Sequence, residues 1–389
     1  MGFKIAAFNI ENFFDRARAF GESSDEARRL IGAVSALNDL FEQTTYAART
    51  KARILELVEE LALDRFNDGE FARIRTIRGQ LIRHPRRGDP TVVADGRGDW
   101  IGWAEHKSEP VDEIAIRNTG RVIRDVDADV LAVIEAENRV VLQKFTESVL
   151  MGISAELPET ERPIPYRSFM LIDGNDDRGI DVGLMTKPGF EIDCMRSHIN
   201  DRAEDDGEPI FGRDCPEYAV ILPGGETLWV LPNHFKSKFG GETARTRRLR
   251  TRQARRVAEI YRALRECGEA LVAVVGDLND TPDSEALAPL LEGTDLRDVS
   301  LHPAFDPGPF DAGTRNTSRG IGTFDLGNDN DKIDYLLLSP ALFERTSAAG
   351  LFRKGAWPGS RPPRWPVYPE LTEKIHVASD HHVIWATID

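Results

Sequence analysis

Residues 4–10 read as a strand, and from residue 24 to residue 63 the period changes. Ile54, Leu57, Val58 and Leu61 recur at helix spacing, so two helices are expected there. Residues 71–82 and 100–106 are β-like runs separated by RHPRRGDPTVVADGRGD, whose prolines and glycines punctuate a loop; together they predict an antiparallel ribbon. After Val111 the rhythm becomes regular. A helix to about Val126 precedes the buried strand DVLAVIE, followed by a helix, the strands DVGLMT and TLWVLPNHF, a long Arg-rich helix and the strand LVAVVGDLND. KIDYLLLS and the terminal HHVIWATI complete the series, the last alternating Val383, Trp385 and Thr387 with Ile384, Ala386 and Ile388. Short apolar strands that each end in a polar cluster are the pattern of packed sheets with helices on their outer faces. The Pro-rich GAWPGSRPPRWPVYPE is a long loop rather than a linker, because a strand completing the fold follows it.

Composition narrows the class. A chain of 389 residues can bury a large core. Its 65 acidic against 50 basic side chains, a net charge of -15, argue against a dedicated high-affinity nucleic-acid binder, whose affinity rests on neutralising phosphates. An enzyme that must release its substrate is compatible with that balance. MGFKIAAFNI is too interrupted for a secretory leader and no window approaches 18 apolar residues, so a cytoplasmic protein without membrane insertion is expected. Cys194, Cys215 and Cys267 have no metal-ligand spacing and are expected to be buried free thiols.

Polar clusters recur at the strand ends: Asn9 and Glu11 in FNIEN, Glu135 in VIEAEN, Asp181 in RGIDVG, Asn233 and His234 in PNHFKSK. Asp277 and Asn279 in GDLND, Asp334 in KIDY, and Asp380 and His381 in SDHH follow. A single Asp after a strand is usually a turn residue. Seven clusters on successive strands are different, since strand ends converge on one rim and carboxylates gathered there repel one another without a cation.

In this order FNIEN, VIEAEN, PNHFKS, GDLND, KIDY and SDHH resemble the endonuclease/exonuclease/phosphatase superfamily, the fold of deoxyribonuclease I, and most closely its bacterial nuclease-like members. The resemblance covers roughly residues 1–14 and 111–389. It implies an α/β (α+β) fold, a four-layer α-β-β-α sandwich of two packed mixed sheets flanked by helices, and a metal-dependent phosphoesterase. Chemistry accounts for the same residue types: a phosphodiester needs cationic charge on its oxygens, a base for water and stabilisation of the leaving oxygen. Carboxylate and amide oxygens suit Mg²⁺ or Mn²⁺. Glu135 is the first candidate metal ligand, with Asn9 near it and Glu11 and Asp380 as further ligands; the resemblance prefers Glu135 over Glu137. Asp277 is expected to orient and deprotonate water, and Asn279 to donate its amide to a phosphate oxygen. The resemblance pairs His381 with Asp334 and places His234 as a second imidazole at the phosphate. Asn233, Lys236 and Arg248 are expected at the substrate, and His382 on the opposite side of its strand.

The departure from the resemblance lies between Asn9 and Glu135, where residues 15–110 read as an insertion into a single domain spanning 1–389. It carries Arg73, Arg75, Arg78, Arg83, Arg86 and Arg87, which either grip a phosphate backbone or form a solvated face balanced by acids. ARTRRLRTRQARR is a second basic run, on a helix whose Leu249, Val257, Ile260 and Leu264 form the buried stripe. Trp357 and Trp365, with Arg361 and Arg364, either stack on bases or cover the core. The leading expectation is a DNA nuclease. Its rivals are a phosphatase or phosphodiesterase of small substrates (an inositol phosphate, a nucleotide or a phospholipid head group) and a non-catalytic interaction module.

Overall fold

The computed structural model describes residues 2–11, 24–63, 67–85, 88–107, 112–176, 179–238, 242–313, 317–360 and 363–389. Arg86, Arg87 and Arg361 lie outside the described residues. The chain divides into two compact units, Met1–Phe13 with Asp112–Asp389, and Phe14–Val111.

β1 (Phe3–Asn9) opens the larger unit. The smaller unit follows: α1 (Ser24–Phe41), α2 (Ala48–Glu60), β2 (Ala72–Arg78), β3 (Ile82–Arg83), β4 (Thr91–Val92) and β5 (Ile101–His106). β2 and β5 form the expected antiparallel ribbon, and β3 pairs with β4. One core serves the smaller unit, in which Leu37, Phe41, Ile54, Leu57 and Val58 of the helices meet Ala72, Ile74, Trp100 and Ala104 of the ribbon region.

The larger unit resumes with α3 (Glu113–Val126), β6 (Val130–Ala136), α4 (Arg139–Phe145), α5 (Met151–Ser154), β7 (Ser168–Ile172), β8 (Asp181–Thr186), β9 (Glu191–Arg196) and β10 (Glu217–Ile221). Next come β11 (Thr227–His234), α6 (Ala244–Glu266), β12 (Leu271–Asp277), α7 (Ala288–Leu291), β13 (Arg297–Asp298) and β14 (Phe305–Asp306). β15 (Asp334–Leu338), α8 (Pro340–Glu344), β16 (Thr346–Phe352) and β17 (Val383–Ile388) close it. Asp112 starts α3 by accepting the backbone N–H groups of Ile114 and Ala115 at 2.8 and 3.2 Å, which satisfies donors the first turn leaves open. Among the described residues, no helix is long and apolar enough to cross a membrane.

The strands form two mixed sheets, ordered β14-β16-β17-β1-β6-β8-β7 and β13-β15-β12-β11-β10-β9. A parallel pair lies at the heart of each, β1 with β6 and β11 with β12, and antiparallel partners flank it. Ile5, Ala7, Val130 and Ala132 of the first sheet pack against Val230, Ala273, Val275 and Leu336 of the second. On the outer face of the second sheet, Val257, Tyr261 and Leu264 of α6 cover Leu231, Val272 and Val274. α4 packs on β6 and β7 of the first sheet. The layers are therefore helix, sheet, sheet, helix. Only Cys215 of the three free cysteines is buried; Cys194 and Cys267 are exposed, because an edge strand and a helix end carry them outside the core.

Candidate active site

Strand alternation delivers most of the site. Leu271, Ala273 and Val275 of β12 face the space between the sheets, and the next residue on that side is Asp277. By the same count Asn9 follows Ile5 and Ala7, His234 follows Leu228 and Val230, and Asp334 precedes Leu336 and Leu338. Register then sets His234 opposite Asp277, and Asp277 opposite Asp334. Glu135 is out of step with Val130 and Ala132. A bulge between Ile134 and Ala136, with φ of 64° at Glu135, turns its carboxylate back toward the others. Glu11 and Asn279 share this left-handed backbone at 51° and 52°, a conformation that costs a non-glycine residue about 1–2 kcal/mol.

Asn9 sits at the centre. Its Nδ2 lies 3.4 Å from each of Glu135 Oε1, Asp277 Oδ2 and His381 Nε2, while its Oδ1 accepts the Glu11 N–H at 3.1 Å. Oriented this way Asn9 donates into the site; ligating a cation through Oδ1 would require the amide to turn over and give up the Glu11 bond. Asn279 grips Asp277 twice, N–H to Oδ1 at 2.8 Å and Nδ2 to Oδ2 at 3.0 Å. His234 Nε2 lies 3.4 Å from Glu135 Oε1 and 3.7 Å from Asp277 Oδ2. His381 donates Nδ1–H to Asp334 Oδ2 at 2.8 Å, which leaves Nε2 facing Asp277 at 4.0 Å and Asp380 at 3.8 Å.

The floor and the rim differ in exposure. Asp277 and Asp334 are each 2% exposed, whereas the side chains of Glu135 and Asp380 retain 20% and 34%. Burial raises the pKa of Asp277, and the neighbouring Asp334 and Glu135 carboxylates push it further than His381 pulls it back. Burial alone would depress the His381 imidazolium, but Asp334, Asp380 and Asp277 outweigh it and hold its pKa well above the ordinary imidazole range. Two donor sets could hold a cation. Ligating atoms of Asp277, Asp334 and His381 lie within 4.8 Å of one another, but the Asp334–His381 hydrogen bond occupies two of the three. The partly open rim, Glu135 with Glu11 and Asp380, offers hard carboxylate oxygens of the kind Mg²⁺ and Mn²⁺ select.

Several residues singled out in the sequence lie elsewhere. Asn233 falls on the alternate face of β11 with Leu231 and Phe235, among the α6 layer, and its Nδ2 bonds the Leu231 carbonyl at 2.9 Å. The Asn279 amide bonds Asp277 and, at 3.1 Å, the Phe235 carbonyl, so it holds the carboxylate instead of reaching outward. Arg248 is exposed and pairs with Asp206 at 2.8 Å. Two further arginines of the basic helix are matched likewise, Arg252 by Asp205 and Asp206 and Arg256 by Asp201. Lys236 is half-buried, its N–H on Gln253 Oε1 at 2.9 Å. Asp181 is buried and accepts the Gly174 N–H at 2.7 Å, with its carboxyl pushed by burial to about 7. Trp365 covers the core, edge-on to His382 at 5.0 Å. His382 is buried on Arg353, its Nδ1 3.2 Å from the guanidinium Nε.

Three supports were missed. Ser379 Oγ donates to the Asn9 carbonyl at 2.7 Å and accepts the His381 N–H at 2.9 Å, tying the last strand to the first. Thr323 Oγ1 accepts the Asp334 N–H at 2.8 Å. Fully buried Arg250 bonds Asp280 at 2.9 Å and the Lys236 carbonyl at 3.1 Å, joining the loops after Asn279 and His234. Ser379 had a signal, its place in SDHH; Arg250 was hidden among other arginines.

Two stacked mixed sheets with helices outside, and a polar cluster where their central strands end, define a phosphoesterase class of sandwich. The profile of the Endonuclease/Exonuclease/phosphatase family matches residues 81–353, and the chain belongs to that family of phosphoester hydrolases. Asn9 and the Asp380–His381 pair lie outside the matched span. No curated protein matches the chain. Among solved structures, an endonuclease/exonuclease/phosphatase family protein from Bacteroides thetaiotaomicron is 14% identical, with 70% of this chain and 88% of that one covered and a TM-score of 0.47. A mannosyl-6-phosphatase from Bacteroides thetaiotaomicron is also 14% identical, over 71% and 91%, with a TM-score of 0.46. The human Nocturnin catalytic domain is 13% identical, over 72% and 88%, with a TM-score of 0.45.

Proposed function

We propose that the site hydrolyses phosphodiester bonds, with DNA as substrate and a divalent cation, Mg²⁺ or Mn²⁺, as cofactor. The observation that carries this reading is the convergence on one buried carboxylate: Asp277 Oδ2 lies 3.7 Å from His234 Nε2 and 4.0 Å from His381 Nε2. Asp277 is held in place by Asn279, and its raised pKa makes it a stronger proton acceptor for an attacking water. His381, kept protonated by Asp334, presents a cation to the non-bridging oxygens of the phosphate. His234 and the Asn9 amide add donors on the same side. A cation bound by Glu135, with Glu11 and Asp380 available beside it, would supply the positive charge that a dianionic transition state needs and that gathered carboxylates lack. The Asp277→Asn variant tests the base directly. It keeps the shape and is expected to lower kcat on bis(p-nitrophenyl) phosphate by at least about a hundredfold with an unchanged thermal midpoint; wild-type turnover would remove Asp277 from this role.

A small phosphorylated substrate is the second reading. It is favoured by the pairing of Arg248, Arg252 and Arg256 of α6 with Asp201, Asp205 and Asp206, which reduces the charge that helix offers a nucleic-acid backbone.

A further inference from the structure

The ribbon of the smaller unit has two unlike faces. Ala72, Ile74 and Ala104 turn inward to the helices, and Trp100 Nε1 bonds Thr76 Oγ1 at 3.1 Å, so the ribbon is firmly backed. The outward face is set by register: Arg73 lies across from Glu105, Arg75 across from Trp103 and Arg78 across from Ile101. A bulge between Thr76 and Arg78 inserts Ile77, which is what returns Arg78 to the outward side. Trp103 thus stands between two arginines of the neighbouring strand, one directly opposite and one diagonal. Successive same-face positions on a strand are about 7 Å apart, within reach of long side chains. Trp103 is 43% exposed and Ile77 is 70% exposed, whereas Trp100, Trp229 and Trp365 are buried and Trp357 and Trp385 half-buried.

Charge on this face is positive. Glu105 takes the Nε of Arg73 and, at 2.8 Å, of Arg75, and its other oxygen accepts Trp103 Nε1–H at 3.1 Å. One carboxylate therefore fixes two guanidinium groups and an indole while neutralising only one charge. Asp68 is taken by Lys107 at 2.6 Å. Arg78 and Arg83 are exposed and meet no carboxylate among the described residues. In a chain of net charge -15, that is a local surplus of the opposite sign.

We propose that this outward face binds single-stranded polynucleotide, with Trp103 stacking on a base and Arg75 and Arg78 contacting the flanking phosphates. An exposed ring serves any base, and cations beside it follow the backbone, whereas a duplex hides its base faces. The proposal rests on the phosphodiesterase reading only for its purpose: a chain that hydrolyses phosphodiester bonds has a use for a surface that holds a polynucleotide.

The test is binding of a fluorescein-labelled oligothymidylate, the same length of oligouridylate, and a duplex of that length to the full chain in EDTA, by anisotropy across a salt series. Both single strands are expected to bind more tightly than the duplex, and their ratio separates a DNA from an RNA preference. Trp103→Ala should weaken single-strand binding about tenfold without changing the salt slope. The Arg75→Ser/Arg78→Ser double variant should reduce the slope of log K against log salt by about 1.4, since each single-strand phosphate contact contributes about 0.7. Hydrolysis of bis(p-nitrophenyl) phosphate should be unchanged in both. Wild-type affinity and slope in the variants, tighter binding of duplex, or ribbon-dependent self-association without oligonucleotide binding would each overturn the proposal. Ribbon-dependent binding by a chain that hydrolyses nothing would overturn the reading of the site instead.

Discussion

His381 is oriented by three neighbours of different kinds: the Asp334 carboxylate on Nδ1, Ser379 Oγ on its backbone N–H, and the Phe324 ring edge-on at 4.9 Å. Removing the imidazole and removing its partner should therefore differ. His381→Ala is expected to lower kcat by at least about a hundredfold, and Asp334→Asn by less, because the latter keeps the imidazole and loses its charge partner. Since Asp334 helps hold the His381 pKa above its ordinary value, the cation persists as pH rises until that raised value is passed. In Asp334→Asn the alkaline limb of the kcat/KM profile should move to lower pH; a limb that stays in place would show that another group titrates there. At this scale the sequence named Asn9, Glu135, His234, Asp277, Asp334 and His381, which the fold brings together, because each is a polar residue at the end of an apolar run. It could not separate Asn233 from His234. Neighbours on a strand face opposite sides, and only the register with β12 shows that His234 is the one between the sheets. Glu135 needed more still, since its direction comes from a bulge that leaves no mark in alternation.

Among elements, β12 is tightly constrained at Gly276. Gly276 has φ of 117°, and a Cβ there would run into the Asn233 carbonyl oxygen of the parallel neighbour. The glycine lets β11 and β12 close up one residue before Asp277. Gly276→Ala should cost more than about 1 kcal/mol, by strain at a positive φ together with the clash, and should lower the urea midpoint; an unchanged midpoint would mean the strands part without penalty. The central strands were legible because they are apolar on both faces, as in DVGLMT, every residue of which is buried. The edges were not. EIDCMR of β9 is mostly exposed and reads as a polar connection, and TSAAGLF of β16 is built from small residues with little β preference. Both depend on a neighbour's hydrogen bonds for their conformation.

Across the whole molecule, charge is distributed against the net value. Acids of residues 201–206 pair with Arg248, Arg252 and Arg256 of α6, so part of the charge of the run ARTRRLRTRQARR, prominent in the sequence, is met within the protein. Composition alone cannot reveal such matching, because the two segments are about 45 residues apart in the chain. Arg78 and Arg83, exposed and without a carboxylate among the described residues, lie in the smaller unit, and the half-buried carboxylates of Glu11, Glu135 and Asp380 lie at the rim of the sheets. That rim is the centre of the account. The most direct test is isothermal calorimetry of Mg²⁺ and Mn²⁺ binding to the wild type and to Glu135→Gln, with bis(p-nitrophenyl) phosphate turnover followed in the same samples. Saturable binding by the wild type is expected, weakened at least about tenfold in the variant with activity falling in parallel. Equal affinity in both proteins, or full turnover in EDTA, would contradict it.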